Sequence, residues 1–247
     1  MLTYAATDEQ HGAARLPQNL LLAALPEPER AQMLAQCDSV RVQAGQALFE
    51  PGQMPGCMYF PIDTLVSLLA VADGRMMLEV GVVGREGMLG ASVIRPDRPV
   101  QLRAVVQRAG RLLRVDAACF GRLFEEMPVL QQLLQRYTDA LLAQVIQIAV
   151  CSRFHMLEAR LARSLLITRD RLQSEKFHLT HESLAQMLGV RRVGVTKAAS
   201  ALQEKKLIGY SRGNIEILDG GGLEQVSCRC YGLVRDDGVL GLGQVLR

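Results

Sequence analysis

Residues 178–213 read HLTHESLAQMLGVRRVGVTKAASALQEKKLIGYSRG, and the rest of the chain is read outward from them. Thr180 suits a helix N-cap, because its hydroxyl can accept from an unpaired N–H of the first turn. Ser183 stands where a complete capping box has Glu, so the box is incomplete. Met187-Leu188 ends the helix, and Gly189 supplies the left-handed residue of a tight helix–helix corner. Val190 starts the next helix. Its packing side can be Val193, Val195, Ala198, Ala199 and Leu202, while Arg191, Arg192, Thr196, Lys197 and Ser200 can project outward. Leu207-Ile208 and Ile215-Glu216-Ile217, joined through Arg212-Gly213-Asn214, predict a two-stranded wing. Six cations (Arg191, Arg192, Lys197, Lys205, Lys206, Arg212) face two anions (Glu182, Glu204), a local charge of +4. An ordinary core corner has no reason to collect cations at the start of its second helix. A recognition helix does, because base edges and phosphates meet it there.

The whole chain of 247 residues carries only +3, so a polyanion site has to come from such clustering. No run of eighteen apolar residues predicts a membrane span. The first residues, MLTYAATDEQHGAARL, lack the pattern of a secretory signal, and a cytoplasmic location is expected. Six cysteines (Cys37, Cys57, Cys119, Cys151, Cys228, Cys230) form no CxxC pair and read as reduced, mostly buried thiols. His178 and His181 have HxxH spacing without a carboxylate or thiol partner. No metal and no cofactor are expected. Only His11, His155, His178 and His181 occur, none between residues 12 and 154, which argues against a metal-dependent β-barrel enzyme, and no enzymatic activity is expected.

Upstream, from Ser39 to about Val115, the apolar period is two, with turn signals at Ala44-Gly45-Gln46, Pro51-Gly52-Gln53 and Asp73-Gly74. About eight short strands predict an antiparallel sandwich. Within it, GVVGREGMLG places glycines at 81, 84, 87 and 90. Two readings stand: a connection where backbones pack closely, or a loop binding a small anion. From Pro128 the period turns helical. Leu130, Leu134, Tyr137, Leu141, Val145 and Ile148 form one apolar stripe, and Leu133, Leu142, Ile146 and Ala149 widen it to a second face. One face can pack on the sandwich and the other on the same helix of a second subunit; burial within one chain is the competing reading. The seam is expected at Leu134, Tyr137, Leu141, Val145 and Ile148. A second helix follows over His155–Leu172.

The order sandwich, long helix, second helix and winged helix-turn-helix resembles the Crp/Fnr family of bacterial transcription regulators from about Asn19 to Asp219. The most specific matches are VGREGMLG, CSRFHMLEARLARSLL and LTHESLAQMLGVRRVGVTKAASALQEKKLI. The resemblance implies an α+β chain. Its parts are a flexible tail (1–18), a jelly-roll sensor domain of the cyclic-nucleotide-binding type (19–127), a dimerisation helix (128–153), a winged helix-turn-helix (154–222) and a C-terminal tail (223–247). It implies a homodimer that places a recognition helix in the major groove of a pseudo-palindromic operator and contacts RNA polymerase. The DNA-contacting residues are then Thr180, His181, Arg191, Arg192, Val193, Thr196, Lys197, Ser200 and Arg212. Arg192 suits guanine O6 and N7; Val193, where Glu often stands, can meet a thymine methyl or pack. The ligand pocket is placed at Gly87, Met88, Leu89, Arg98, Arg103 and Val145, with the effector unknown.

Departures from the family pattern bear on that effector. Members that respond to cyclic AMP carry G-E-L-G followed by Arg-Ser or Arg-Thr. Here Met88 replaces the ribose-binding Glu, the following stretch is RPDRPVQLRAVV, and the helix positions that offer hydroxyls align to Val145 and Ile146. Each missing partner leaves a ligand polar atom unpaired at about 1–3 kcal/mol, so response to cyclic AMP is not expected. No cysteine lies in residues 1–36, which argues against an Fnr-type iron–sulfur cluster. The alternative function is a sensor that binds a small anion and signals through protein–protein contacts.

Overall fold

The computed structural model describes residues 18–72, 76–90 and 99–232. The chain opens with α1 (Leu20–Ala23) and α2 (Glu27–Ala35), then β1 (Asp38–Val42), β2 (Ala47–Phe49), β3 (Cys57–Pro61), β4 (Leu65–Ala72), β5 (Met76–Val83), β6 (Arg103–Arg108) and β7 (Gly110–Asp116). These strands pair antiparallel in two sheets, ordered β1-β7-β3 and β2-β6-β4-β5. Seven strands stand among the described residues where about eight were expected, and the Asp73-Gly74 turn signal lies outside them. Val42, Val66, Val83, Leu89, Val106 and Leu112 fill the space between the sheets. Gly45 and Gly52 take φ of 83° and 85°, as the turn signals required.

A helix absent from the sequence expectation, α3 (Ala117–Glu126), follows β7, with Phe120, Leu123, Phe124 and Met127 at helical spacing. Asp116 caps it, its carboxylate accepting from the N–H groups of Ala118 and Cys119 at 2.9 and 3.1 Å. Then α4 runs from Pro128 to Phe154, with Pro in its first turn. Its inward stripe is Leu130, Leu134, Tyr137, Leu141, Gln144, Ile148 and Cys151, spaced 4 and 3 alternately. Leu130, Leu134 and Tyr137 join Phe60, Met88, Phe120 and Met127 in one core.

This corrects the expected seam. Leu134, Tyr137 and Ile148 are buried by their own chain, and Leu141 and Val145 are half-buried. The face left outward is Leu142, Ile146, Val150 and Phe154, with exposures of 57, 56, 42 and 74%. Periodicity finds two apolar faces, but only packing decides which of them meets the sandwich.

His155 and Met156 are extended (ψ 144° and 148°) and separate α4 from α5 (Leu157–Leu172) without Pro or Gly. Next come β8 (Lys176–His178), α6 (His181–Leu188), α7 (Arg192–Glu204), β9 (Ile208–Ser211), β10 (Asn214–Ile217) and α8 (Gly220–Val226). The wing has three strands, β8-β10-β9, one more than expected, because β8 pairs Phe177 opposite Ile215. Leu161, Leu165, Leu166, Leu184, Val195, Leu202 and Leu223 form the core of this half. Residues 223–232, expected within a tail, are packed: Leu223, Cys228, Cys230 and Tyr231 are buried. The α8 turn brings them back onto α5, where Tyr231 Oη donates to Asp170 at 2.6 Å.

Candidate nucleic-acid interface

Local chemistry builds the helix pair. Thr180 Oγ1 accepts from the Ser183 N–H at 3.1 Å and starts α6. Gly189 ends it at φ 63°, in the left-handed region where a side chain is strained. The Val190 N–H then donates to the Ala185 carbonyl at 3.0 Å, which holds Val190 out of the next helix. So α7 begins at Arg192, two residues later than expected, and no side chain caps it. Its uncapped first turn carries the partial positive charge that favours phosphate.

Burial sorts the faces of α7. Val195, Ala198, Ala199 and Leu202 point into the core, whereas Arg191, Arg192, Val193, Thr196, Lys197 and Ser200 are exposed. Val193 is 61% exposed, so of its two expected roles the structure takes away packing. Thr180 is exposed beside the start of α6. Arg212 sits at the wing tip with φ 51°, next to Gly213 at 87°, the paired positive values of a tight hairpin.

His181 is turned another way than expected. Its ring stacks on Tyr210 with centroids 4.5 Å apart, Nδ1 faces Thr196 Oγ1 at 3.2 Å, and Nε2 is buried. A ring whose two nitrogens are engaged or covered cannot serve as a phosphate contact; it holds Thr196 on the outward face. Burial, with the neighbouring Arg192 charge, lowers its pKa and favours the neutral form. Tyr210 and Arg160, whose guanidinium donates to the Leu188 carbonyl at the end of α6, are supports the sequence reading missed. Neither has a local pattern: each is defined by a partner 28 or more residues away.

The polar groups of the glycine loop are engaged where those of α7 are free. A cavity of about 200 Å³ is lined by Phe49, Leu68, Met88, Leu89, Gly90, Val100, Gln101, Leu102, Ala104 and Leu141. Of the expected pocket residues only Met88 and Leu89 line it. Gly87 faces the Tyr137 ring, which a Cβ would meet at 2.4 Å. Arg103 lies on the outside of the sandwich, with Nε 3.0 Å from Glu50. Val145 is displaced by Leu141, and Arg98 lies outside the described residues. No cation lines the cavity among the described residues. The loop's own polar groups are taken: Asn19 donates to the Gly87 carbonyl (2.8 Å), Tyr137 Oη to the Met88 carbonyl (2.8 Å), and Leu89 pairs with Tyr59. Of the two readings of the glycine loop, these bonds fit the structural one.

A buried polar layer joins the halves. Arg171 Nε of α5 donates to Glu86 Oε1 at 3.1 Å, both side chains being under 10% exposed, and the same oxygen accepts from the Gly84 N–H at 2.9 Å. Nearby, Glu79 accepts from Ser67 Oγ and Gln107 Nε2 at 2.7 and 2.8 Å. Burial raises its pKa to about 7, against the pull of those bonds and of Arg171 and Arg163.

Residues 159–226 match the Crp-like helix-turn-helix domain. Comparison with curated protein sequences gives no match. Among solved structures, the chain is similar to the c-di-GMP-responsive global regulator CLP of Xanthomonas campestris, at 17% identity and a TM-score of 0.67, over 78% of this chain and 99% of that one. It is also similar to a CRP/FNR-family transcriptional regulator of Thermus thermophilus, at 23% identity and a TM-score of 0.64, over 77% and 98%.

Proposed function

We propose, for a chain with the Crp/Fnr fold and a Crp-like helix-turn-helix domain, that it regulates transcription as a homodimer bound to a pseudo-palindromic operator. It works in the cytoplasm as a regulator rather than an enzyme, with RNA polymerase as the partner that the family resemblance implies. The observation that carries this reading is the outward face of α7, where Arg191, Arg192, Thr196, Lys197 and Ser200 are exposed together beside an uncapped helix start. Arg192 is assigned to guanine, Val193 to a thymine methyl, and Thr180 and Arg212 to phosphates. The homodimer is assigned to the exposed stripe Leu142, Ile146, Val150 and Phe154. An apolar stripe along a long helix is the usual seam of a two-fold pair.

Cyclic AMP is not the effector in this reading. The cavity at Met88 offers apolar walls, and the loop's carbonyls are engaged inside the protein. The test is binding to duplex DNA across a salt series. A regulator that neutralises phosphates loses log K linearly with log salt; a flat response would remove the DNA reading and leave the protein-signalling alternative. Ile146→Glu should convert the dimer to monomer in sedimentation, and a persisting dimer would place the seam elsewhere.

A further inference from the structure

Four residues distant in sequence meet at the joint between the long helix and the DNA-reading half. Cys151 and His155 stand one turn apart at the end of α4, and Cys228 and Cys230 follow α8. One ligand atom from each lies within 4.8 Å of all the others. Cys151 Sγ is 3.4 Å from Cys228 Sγ, and Cys230 Sγ is 3.4 Å from His155 Nδ1. A tetrahedral zinc ion with Zn–S bonds of about 2.3 Å and a Zn–N bond of about 2.0 Å separates its sulfurs by about 3.8 Å, and sulfur from nitrogen by about 3.5 Å. The four atoms already form a shell of that size. The three cysteines are buried and His155 half-buried, as in a closed structural site.

Thiols that pack only as small apolar groups keep polar neighbours away. Here polar groups turn toward the sulfurs. Gln147 Nε2 donates to Cys230 Sγ at 2.7 Å, and the His155 ring faces the same atom. Arg163, one turn along α5 from Ala159 of this cluster, is buried with Nε and one terminal nitrogen unpaired. Zinc with three thiolates carries a net charge of −1, which a buried guanidinium offsets. A Cys151–Cys228 disulfide would need sulfurs about 2.05 Å apart and would leave the third thiol and the imidazole facing it without a role. An iron–sulfur cluster, with several irons and sulfides inside its cysteines, needs a wider shell than this one.

We propose that Cys151, Cys228 and Cys230, as thiolates, and His155, through Nδ1, bind one zinc ion that pins the C-terminal segment to the end of α4. The thiol protons pass to solvent on binding. Because His155 and Met156 are the extended pair that breaks α4 from α5, the ion fixes the angle at which the DNA-reading half leaves the long helix.

The full chain, purified without chelator and dialysed after exposure to Zn2+, should hold one zinc per chain by mass spectrometry. Co2+ in its place should give tetrahedral d–d bands with thiolate-to-cobalt charge transfer. Cys228→Ser and Cys230→Ser should lose the stoichiometric ion. His155→Cys should keep it and shift the cobalt bands, and Gln147→Ala should weaken zinc by about 10–100-fold. Cys119→Ser, away from the cluster, should change nothing. Zinc in the unaltered chain no higher than in Cys228→Ser would overturn the proposal whatever the variants' folding. So would stoichiometric iron with acid-labile sulfide, or a Cys151–Cys228 disulfide in protein isolated anaerobically.

Discussion

Two glycine-bearing corners of this molecule look equally motif-like in sequence and do opposite things. At Gly84–Gly90, backbone carbonyls are bound by Asn19 and Tyr137, and Glu86 is locked to Arg171. At Thr180–Arg192, the backbone is satisfied by Thr180 and the Val190 N–H, and the polar side chains after it point to solvent. The first corner spends its polar groups on holding the fold, and the second keeps them free. The difference teaches that a glycine pattern marks where the backbone bends tightly, while the partners of its polar atoms decide whether a ligand can use the bend.

Four experiments bear on that contrast. The largest effect is expected at Glu86→Ala. It leaves Arg171 buried without its carboxylate and should cost about 3–5 kcal/mol in urea unfolding; a loss below 1 kcal/mol would mean the closed corner is not held by this pair. Arg192→Ala should cost about 1–3 kcal/mol of operator affinity and flatten sequence preference, with unfolding unchanged. A variant that binds more weakly but keeps its preference would make Arg192 a phosphate contact.

Glu79→Gln tests the layer between the corners. The folded pKa of Glu79, about 7, lies above its ordinary 4.5, so the folded chain holds the proton more tightly than the unfolded one. Its contribution is therefore full below pH 4.5 and declines as pH rises to about 7. The Gln variant should unfold with a weaker pH dependence across that window; an identical slope would assign the dependence to other groups. The smallest effect, none, is expected on titrating cyclic AMP: calorimetry should show no binding heat, and micromolar affinity would reopen the closed corner.

Much of the fold was legible because it is written in short-range pattern. The period of two over 39–115, the turn glycines at 45 and 52, Pro128 opening α4 and the Thr180–Gly189 corner act through neighbours within a few residues. The outward cations of α7 were legible for the same reason, since a helix fixes which side chains share a face. Helix α3 was missed although its marks are local: the Asp116 cap, and Phe120, Leu123, Phe124 and Met127 at helical spacing. The third wing strand and the packed residues 223–232 depend on contacts across tens of residues.

The sequence by itself determined the order of elements, the helix-turn-helix with its charged face, and the apolar residues Met88, Val145 and Ile146 where the cyclic-AMP pattern has polar ones, because each is a matter of residue type at a local spacing. Tertiary structure alone decided which stripe of α4 is buried, that His181 braces Thr196 rather than facing solvent, and that Cys151 and His155 meet Cys228 and Cys230 across more than 70 residues. These depend on how surfaces dock. Docking selects one of several faces that periodicity leaves equivalent, and it joins side chains whose separation along the chain carries no trace of their contact.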